Sequence, residues 1–366
     1  MKLTKRALSL FVGAALLSSA GLAQAKEKWT MTSTWPASFE LIEIDKKWVE
    51  LVNKLATDDL EIEFYEGGAL VPPGEAFSAV ESGTIQASGD WPGYWAGRNP
   101  AFSALGTHVS LFNAMDYANW IQQWGGADIY NDVYNQFEMV YIPYGITNSE
   151  AGFHTNSPIK NLEDFKGKRL RVSGLEQGRV LERIGGTQVS MAAQELYQSL
   201  ERNVIDGAEF STPNVDVSAG LHQVTKHWTT PGWHQSSSVF GVMINKNAWD
   251  ALSDSTKEKL KIAADATMLW SISYTEKRAA EGLETFKKAG VEIHRLEDKD
   301  LEKIQEQAHE VMIEVACSDP TAAKVYLSQV EYLNEYKDWR TASAPYNLGR
   351  IITGPDLEKM QECANK

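Results

Sequence analysis

The chain has few basic residues, and beyond its first 25 residues it lacks long apolar segments. Its 366 residues include 35 Lys and Arg against 49 Asp and Glu, which gives a formal net charge of -14 at pH 7. A chain of this sign is a poor partner for nucleic acid and for anionic membrane, because both require basic surface. No segment after the N-terminal region is long and uncharged enough to cross a bilayer. These features leave two classes of function to distinguish, binding of small solutes and enzymatic catalysis.

Motifs of catalysis are absent as well. The seven histidines form neither an HExxH motif nor a metal pair with CxxC, and the sequence contains no GxSxG elbow, P-loop or GxGxxG fingerprint. His222 and His227 are five residues apart and do not share a helical face, so we expect both at the surface. The sequence therefore predicts a protein that is not an enzyme. An exported hydrolase is the minor alternative, which product formation would reveal.

Only two cysteines are present, Cys317 and Cys363, and neither has a histidine beside it in the sequence. In an oxidising compartment they are candidates for a disulfide that would pin the C-terminal tail, with a stabilisation of about 3–4 kcal/mol in the chain-entropy model. Two free thiols are the alternative. Neither arrangement is catalytic.

The N-terminus has the three parts of a secretory signal peptide. Residues 1–6 carry three basic side chains, residues 7–22 are apolar or small without charge, and Ala23-Gln24-Ala25 provides a small-x-small cleavage site. Cleavage near Ala25 would remove three positive charges and change the formal net charge from -14 to -17. An uncleaved membrane anchor is the alternative. The sequence thus predicts an exported, strongly acidic protein.

The remaining chain is too long for one ordinary hydrophobic core, so we expect two domains. Strand-like runs alternate with amphipathic helical stretches, a pattern that predicts α/β domains with parallel sheets covered by helices. The strand candidates are Trp29–Thr34, Glu61–Glu66, Thr84–Ser88, Glu138–Pro143, Lys168–Ser173, Val204–Glu209, Gly241–Lys246 and Val291–Arg295.

One predicted helix is unusually long. Ser255-Thr256-Lys257-Glu258 has the form of a capping box and opens a helical run that ends at Ala289, before Gly290. At 1.5 Å per residue this helix would span about 50 Å, so we expect it to lie across both domains. A kink near Ser271 is the alternative. Asp319-Pro320 and Gly354-Pro355 are two further predicted helix starts.

An arginine and a glutamate follow strand-like runs in the middle of the chain. Arg171 lies near the end of the run Lys168–Ser173, and Glu209 follows the run that begins at Val204. Open α/β sheets bind ligands at the carboxyl ends of their strands, and a guanidinium there can hold a carboxylate with two parallel hydrogen bonds. Glu209 would repel that carboxylate unless a cation or a protonated ligand group lay between them. The pair predicts a site for an organic acid.

Five further segments between about Trp29 and Lys288 are informative together. They read EGGALVPPGEAFSAVESGTIQASG, YWAGRNPAFSALGT, IKNLEDFKGKRLRVSGL, IDGAEFSTPN and HQVTKHWTTPGWHQSSSVFGVMINKNAWDALS. In content and order these segments resemble the solute receptors of tripartite ATP-independent periplasmic (TRAP) transporters, in particular the branch that binds 2-oxo acids and lactate.

The resemblance implies a fold and a function. The fold is a two-domain periplasmic binding protein with a hinge, crossing strands and a long helix spanning both domains. The expected division is residues 26–148 with 237–265 for the first domain, 149–236 with 266–310 for the second, and C-terminal helices over 311–366. The implied function is capture of a small 2-oxo or 2-hydroxy carboxylate in the Gram-negative periplasm and delivery to the membrane subunits of a TRAP permease.

The resemblance also assigns roles to residues. Arg171 matches the arginine that receives the ligand carboxylate. Glu209, the backbone oxygen of Phe210, and Gln235 match the positions that hold a cation in some relatives. Such oxygen ligands suit Na⁺ or Ca²⁺.

This chain departs from the cation-binding relatives at one position. They carry a glutamine before a Gly-Gly-aromatic turn, whereas this chain reads Asn148-Ser149-Glu150-Ala151-Gly152-Phe153. Either Ser149 or Glu150 takes over as an oxygen ligand, or the site has no metal and its carboxylates receive an amine-bearing solute. A solvated loop carboxylate is the third reading of Glu150. The sequence thus requires no cofactor and leaves a bridging Na⁺ or Ca²⁺ open.

Aromatic residues after the first strand candidates predict an apolar wall for the ligand. Trp35, Phe39, Trp91, Tyr94 and Trp95 lie on such loops, and rings there shape a pocket without fixing its charge.

The candidate ligand-binding set is completed by two residues later in the chain, Asn214 and Trp233. Trp233 also flanks the expected hinge with Trp228, and packing at the hinge is the alternative role for both tryptophans.

Overall fold

A computed structural model describes residues 26–344. The predicted signal peptide, Cys363 and the predicted helix start at Gly354-Pro355 lie outside the described residues. Cys317 is exposed at the end of a helix and has no disulfide partner within residues 26–344. Its pairing with Cys363 therefore stays a prediction.

The described chain forms two β-sheets. Their strands, numbered along the chain, are β1 (Glu27–Ser33), β2 (Leu60–Phe64), β3 (Ala87–Asp90), β4 (Met139–Thr147), β5 (Phe153–Thr155), β6 (Arg169–Arg171), β7 (Thr187–Val189), β8 (Gly207–Ala208), β9 (His227–Thr230), β10 (Ser238–Asn245) and β11 (Glu292–Arg295). The first sheet has the order β2-β1-β3-β10-β4, and the second has the order β11-β9-β5-β8-β6-β7.

Both sheets are mixed, so the prediction of purely parallel sheets is wrong. In the first sheet β10 runs antiparallel to β3 and β4, and in the second sheet β5 runs antiparallel to β8 and β9. The reason is the chain path. The chain leaves the first sheet between β4 and β5 and returns between β9 and β10, so the outgoing and returning segments lie side by side in opposite directions. The domain boundaries themselves stay predictions.

Thirteen α-helices in the described residues cover the sheets. They are α1 (Ile42–Leu55), α2 (Ala76–Glu81), α3 (Ala101–Gly106), α4 (Ala114–Gln123), α5 (Gly126–Tyr134), α6 (Leu175–Arg183), α7 (Leu196–Glu201), α8 (Pro213–Ser218), α9 (Leu221–Val224), α10 (Lys246–Asp250), α11 (Asp254–Lys288), α12 (Asp298–Ser318) and α13 (Pro320–Ser343). Among the described helices, none has the length and apolarity that a bilayer crossing requires.

Helix α11 is the long helix predicted from the sequence, with 35 residues. It begins two residues earlier than expected, because the side chain of Ser253, and not that of Ser255, caps it by accepting from the Thr256 N–H. The helix packs on α1 and β4 of the first sheet and on α8 beside the second. At Gly282 the backbone of α8 comes so close that an added Cβ would lie 2.5 Å from the Asn214 nitrogen. Helix α11 therefore connects both halves of the molecule.

The C-terminal helices pack on both halves as well. The Asp319 side chain accepts from the N–H groups of Thr321 and Ala322, which confirms the predicted helix start before Pro320. Helix α12 packs on α6, and α13 packs on α3 and α5.

Two carboxylic acids, Asp45 and Asp90, are fully buried in the first half of the molecule, which is the half that contains the first sheet. Asp45 accepts hydrogen bonds from Ser33 Oγ and Tyr144 Oη, each at 2.6 Å. Asp90 accepts from Trp95 Nε1, at 2.8 and 2.9 Å to its two oxygens, and from Tyr134 Oη at 3.0 Å. Burial raises the pKa of each carboxyl group to about 7. Asp90 thereby anchors the loop that carries Trp95.

These raised pKa values predict that stability falls as the pH rises. The unfolded chain releases these protons near pH 3.8 and the folded chain near pH 7, so the free energy of unfolding decreases between those values. Asp90→Asn removes one of these titrating groups. The free energy of unfolding of the variant, minus that of the native chain, should therefore increase by on the order of a few kcal/mol from pH 4.5 to pH 7.5. Denaturant titrations at both pH values measure this. Exposed Asp58→Asn is the control, and an unaltered pH dependence in Asp90→Asn would contradict the assignment.

Candidate functional site

A cavity of about 540 Å³ lies between loops that follow strands of the first sheet and loops that follow strands of the second sheet. The first half contributes loops after β1 and β3, and the second half contributes the loops after β6 and β7. The cavity is lined by Thr34, Trp35, Pro73, Gly74, Gly93, Tyr94, Trp95, Ala96, Gly97, Arg171, Val172, Ser173, Gly174, Leu175, Gln188, Ser190, Met191, Ala192, Ala193 and Gln194. Its volume is typical of sites for small organic ligands.

Arg171 is the charged side chain of the cavity wall, at the carboxyl end of β6 as the sequence predicts. It is 2% exposed, so water screens its charge weakly. Its Nη1 donates to the Glu209 carbonyl oxygen at 2.8 Å and to Glu209 Oε1 at 2.9 Å, and Nε donates to the Met191 carbonyl oxygen at 3.4 Å. These three bonds use Nε and Nη1. They fix the guanidinium plane, and Nη2 makes no hydrogen bond within residues 26–344.

Glu209 follows β8, which pairs in parallel with β6, so the two strand ends bring Glu209 to Arg171. Its Oε1 also accepts from the backbone N–H and, at 3.0 Å, the hydroxyl of Ser173. Burial alone would raise the pKa of Glu209, but the positive charges of Arg171 and His234 and their hydrogen bonds lower it below its usual value. The sequence had suggested a bound cation beside Glu209. Part of the positive charge that compensates Glu209 comes from Arg171 itself.

His234 lies between two buried carboxyl groups. Its Nε2 is 3.0 Å from Glu150 Oε2 and 3.3 Å from Glu209 Oε2, and all three side chains are buried. A solvated Glu150 is therefore excluded. Burial alone would lower the pKa of His234, but its contacts with Glu150 and Glu209 raise it to about 9. Burial raises the pKa of Glu150. The cluster thus holds protons at neutral pH and carries less negative charge than its two carboxyl groups imply.

The crossing segments create this cluster. The Glu150 N–H donates to the Gln235 carbonyl oxygen at 3.1 Å, so residues 148–152 and 231–237 run side by side. They approach so closely that a Cβ on Gly232 would lie 2.2 Å from the Glu150 carbonyl oxygen. Glycine is therefore required there.

A second, much smaller cavity of about 10 Å³ lies beside the cluster. Its polar lining comes from Glu150, Ser173, Ser211, Gln235 and Ser238, and its apolar lining from Leu41, Trp91, Tyr94, Phe210 and Phe240. This volume accommodates roughly one water molecule or one ion. The buried oxygen Glu209 Oε2 lies 3.3 Å from His234 Nε2 and has no other hydrogen-bond partner among the described residues. The oxygen atoms of this lining fit a hard cation. Of the predicted ligands, Phe210 and Gln235 line the small cavity, and Glu209 is hydrogen-bonded to Ser173 of its lining.

The aromatic wall lies largely where the sequence places it. Trp35, Tyr94 and Trp95 line the large cavity, and Trp91 lines the small one. The Trp35 indole N–H points to Tyr94 Oη at 3.4 Å. The Trp91 indole N–H is bound by the Gly106 carbonyl oxygen at 3.3 Å. The rings therefore offer mainly apolar surface to a ligand.

Three predicted ligand-binding residues do not line either cavity. Phe39 packs on Phe210 with ring centroids 5.0 Å apart. Asn214 accepts from Thr212 Oγ1 at 2.8 Å at the start of α8. Trp233 packs on Phe153 and lies behind His234. Phe39 thus supports the site through Phe210, and Trp233 has the packing role that the sequence left open.

His234, Ser173 and Ser238 belong to the site but were not predicted as site residues from the sequence. Ser238 Oγ donates to Gln235 Oε1 at 2.6 Å, and Gln235 Nε2 donates to Ser173 Oγ at 3.2 Å. Their signal was present as Ser173, two residues after Arg171, and as the polar run HQSSS over 234–238. The pairing with Glu150 was not readable, since it joins residues 84 apart.

Comparisons with known proteins agree with this geometry. Residues 31–318 match the family model described as bacterial extracellular solute-binding protein, family 7. A monocarboxylate 2-oxoacid-binding periplasmic protein of Nostoc sp. is 27% identical over 300 residues, which cover 82% of this chain and 82% of that protein.

Solved structures share the fold. A TRAP periplasmic solute-binding protein of Colwellia psychrerythraea, with bound calcium and pyruvate, is 26% identical with a TM-score of 0.81, covering 87% of this chain and 97% of that one. A TRAP transporter solute-binding protein of Bordetella bronchiseptica, with copurified calcium and picolinate, has a TM-score of 0.82 at 22% identity, covering 87% of this chain and 95% of that one. The expected two-domain binding-protein fold is confirmed.

Proposed function

We propose, from the premise that the chain belongs to the bacterial extracellular solute-binding proteins of family 7, that its cleft captures a small organic acid through Arg171. The family and its relatives are receptors and not enzymes, which confirms the prediction of a non-catalytic protein. The resemblance to TRAP receptors is confirmed by the same findings.

The position of Arg171 carries the proposal. Its guanidinium is buried at the wall of the 540 Å³ cavity, its plane is fixed by Glu209 and Met191, and its Nη2 is left for a ligand oxygen. A preorganised guanidinium in a site of low dielectric binds a carboxylate more strongly than an exposed one. Because Arg171 and His234 both lie against Glu209, the negative charge of Glu209 is compensated within the cluster and does not repel the acid.

The rest of the cavity supports an acid with a carbon chain. Trp35, Tyr94, Trp95, Leu175 and Met191 line it beside Arg171. Apolar surface of this kind binds the hydrocarbon part of a ligand while the carboxylate stays at the charged end. The Nostoc relative is named for monocarboxylate 2-oxo acids and the Colwellia protein was solved with pyruvate, which supports a 2-oxo or 2-hydroxy monocarboxylate.

A bridging cation fits the same site. Glu209, the Phe210 carbonyl and Gln235 would hold it, Glu150 would replace the missing glutamine, and an oxygen of the acid would complete the shell. Such an ion supplies a positive charge that links Glu209 to the ligand. Calcium in the Colwellia protein supports this assignment, and sodium has the same preference for oxygen ligands.

In the proposed cycle the ligand links the two domains. Arg171 contributes from the second half and the aromatic wall from the first, so a bound acid favours the closed state over the open one. The domains are residues 26–148 with 237–265, and 149–236 with 266–310, with the C-terminal helices from 311 packed on both. The closed receptor delivers the acid to a TRAP permease in the membrane after export to the periplasm and cleavage near Ala25.

Thermal shift measurements test this function. Pyruvate and longer 2-oxo and 2-hydroxy monocarboxylates, added at about 100 times their dissociation constant, should stabilise the mature protein by about 2.7 kcal/mol. Amino alcohols and amines of matched size should not. Repeating the series without Na⁺ and with a calcium chelator should reduce the shift if an ion bridges Glu209 and the ligand.

The outcomes separate the alternatives. A shift that survives ion removal would leave Arg171 and the proton-holding His234 cluster as the binding site and would refute the bridging cation. Stabilisation by amines but not by acids would contradict the carboxylate proposal and favour the amine-bearing solute.

A further inference from the structure

A second cluster of metal-ligating side chains lies far along the second sheet from the ligand cavity. His227 is on β9, and Glu292 and His294 are on β11, the edge strand that pairs in parallel with β9. Strand side chains alternate between faces, so Glu292 and His294, two residues apart, share one face. His227 is the register partner of Glu292. The sheet itself therefore brings the three side chains together.

The geometry matches one face of a tetrahedral coordination site. His227 Nδ1 and His294 Nε2 are 3.2 Å apart. Glu292 Oε2 is 3.6 Å from His227 Nδ1 and 3.7 Å from His294 Nε2. Zinc bonds to nitrogen and oxygen measure about 2.0–2.2 Å, so the edges of a zinc tetrahedron are roughly 3.3–3.6 Å long. The three donor atoms thus already form nearly one face of that tetrahedron.

The surroundings suit metal binding. The side chains of His227 and His294 are 16% and 14% exposed, which limits their motion, while Glu292 is 68% exposed. The two facing imidazole nitrogens share a hydrogen bond, so a bound metal would take the place of the proton between them. The exposed side of the cluster leaves a fourth position for water.

We propose that His227, Glu292 and His294 form a binding site for a divalent transition metal of the zinc, nickel or copper class. Two imidazoles and one carboxylate select these borderline ions over Na⁺ and Ca²⁺, which require oxygen ligands. None of the three residues lines either cavity of the cleft. The bound metal would join the edge strand β11 to β9 and so hold the segment between α11 and α12 on the sheet.

The sequence did not indicate this site. His227 had been expected at the surface because its spacing from His222 fits no helical face, yet it is on a strand and its partner lies 67 residues away. Only the pairing of β9 with β11 brings the two histidines together.

Calorimetric titration of the tag-free, metal-stripped mature protein with ZnCl₂ tests the proposal. One equivalent of zinc should bind and raise the melting temperature. His227→Asn and His294→Asn should each weaken zinc binding at least about 100-fold, since each removes a direct ligand, and Glu292→Gln should weaken it less. Exposed His309→Asn is the matched control and should leave the affinity unchanged.

A variant of the cleft separates the two clusters. Glu150, Glu209 and His234 could also attract zinc, so the titration is repeated with His234→Asn, which should retain the tight equivalent. Zinc binding that survives both His227→Asn and His294→Asn, or no binding of millimolar zinc by the native chain, would overturn the proposal. Neither result would bear on the carboxylate function, which is measured by acids and not by zinc.

Discussion

Arg171→Lys should weaken binding of the organic acid by about ten- to a hundred-fold although the positive charge is retained. Lysine cannot reproduce the guanidinium fork that contacts Glu209 and Met191 and presents Nη2 to a ligand, and hydrogen bonds to charged groups contribute about 1.5–3 kcal/mol. Calorimetry with a 2-oxo monocarboxylate measures the change. Arg169→Lys on the same strand is the matched control, because Arg169 is exposed and paired with Asp206.

Loss of binding must be separated from loss of folding. Arg171→Ala leaves Glu209 buried without its main partner, which costs about 3–5 kcal/mol. Arg171→Met combined with Glu209→Gln removes both charges and should recover much of that stability without recovering ligand binding. Unchanged affinity in Arg171→Lys, or recovered binding in the double variant, would disprove the role of Arg171.

Glu209→Gln should lower the stability of the ligand-free protein by about 3–5 kcal/mol and the melting temperature by on the order of ten degrees. The substitution removes the charge that Arg171 and His234 both face, while those cations stay buried. Denaturant titration measures the effect. Glu163→Gln is the control, since Glu163 pairs with Lys166 at the surface and such pairs contribute about 1 kcal/mol or less to stability.

The same variant reports on the cation. If an ion links Glu209 to the acid, Glu209→Gln should lose both ligand affinity and the sensitivity of that affinity to ion removal. A Glu209→Gln protein that binds the acid as the native chain does, with equal stability, would reduce Glu209 to a packing residue.

The central part of the site was predictable from local patterns. The strand-like run to Arg171 and the run before Glu209 end at the same sheet edge, and the rule for ligand positions in α/β sheets then places Arg171 in the cavity wall with Glu209 beside it. Helix α11 was readable because its 35 residues contain no proline and Gly290 follows shortly after its end. These features depend on residues close together in sequence.

The parts that were missed depend on long-range pairing. Strand β8 has two residues and β5 and β7 have three each, which is too short for side-chain alternation to be recognised. The antiparallel strands follow from the chain crossing twice between the sheets, which no local pattern encodes. The approach of Glu150 to His234 follows from the same crossing, and so the proton-holding cluster beside Arg171 was not foreseen.

A crystal structure of the mature protein with a bound 2-oxo monocarboxylate tests the central claim most directly. The account predicts the unconverted acid in the 540 Å³ cavity, with its carboxylate within hydrogen-bond distance of Arg171 and its carbon chain against Trp35 and Trp95. Density for an ion beside Glu209 would add the bridging cation. An acid bound elsewhere, or one whose carboxylate lies away from Arg171 while Arg171 stays paired with Glu209 alone, would contradict the account.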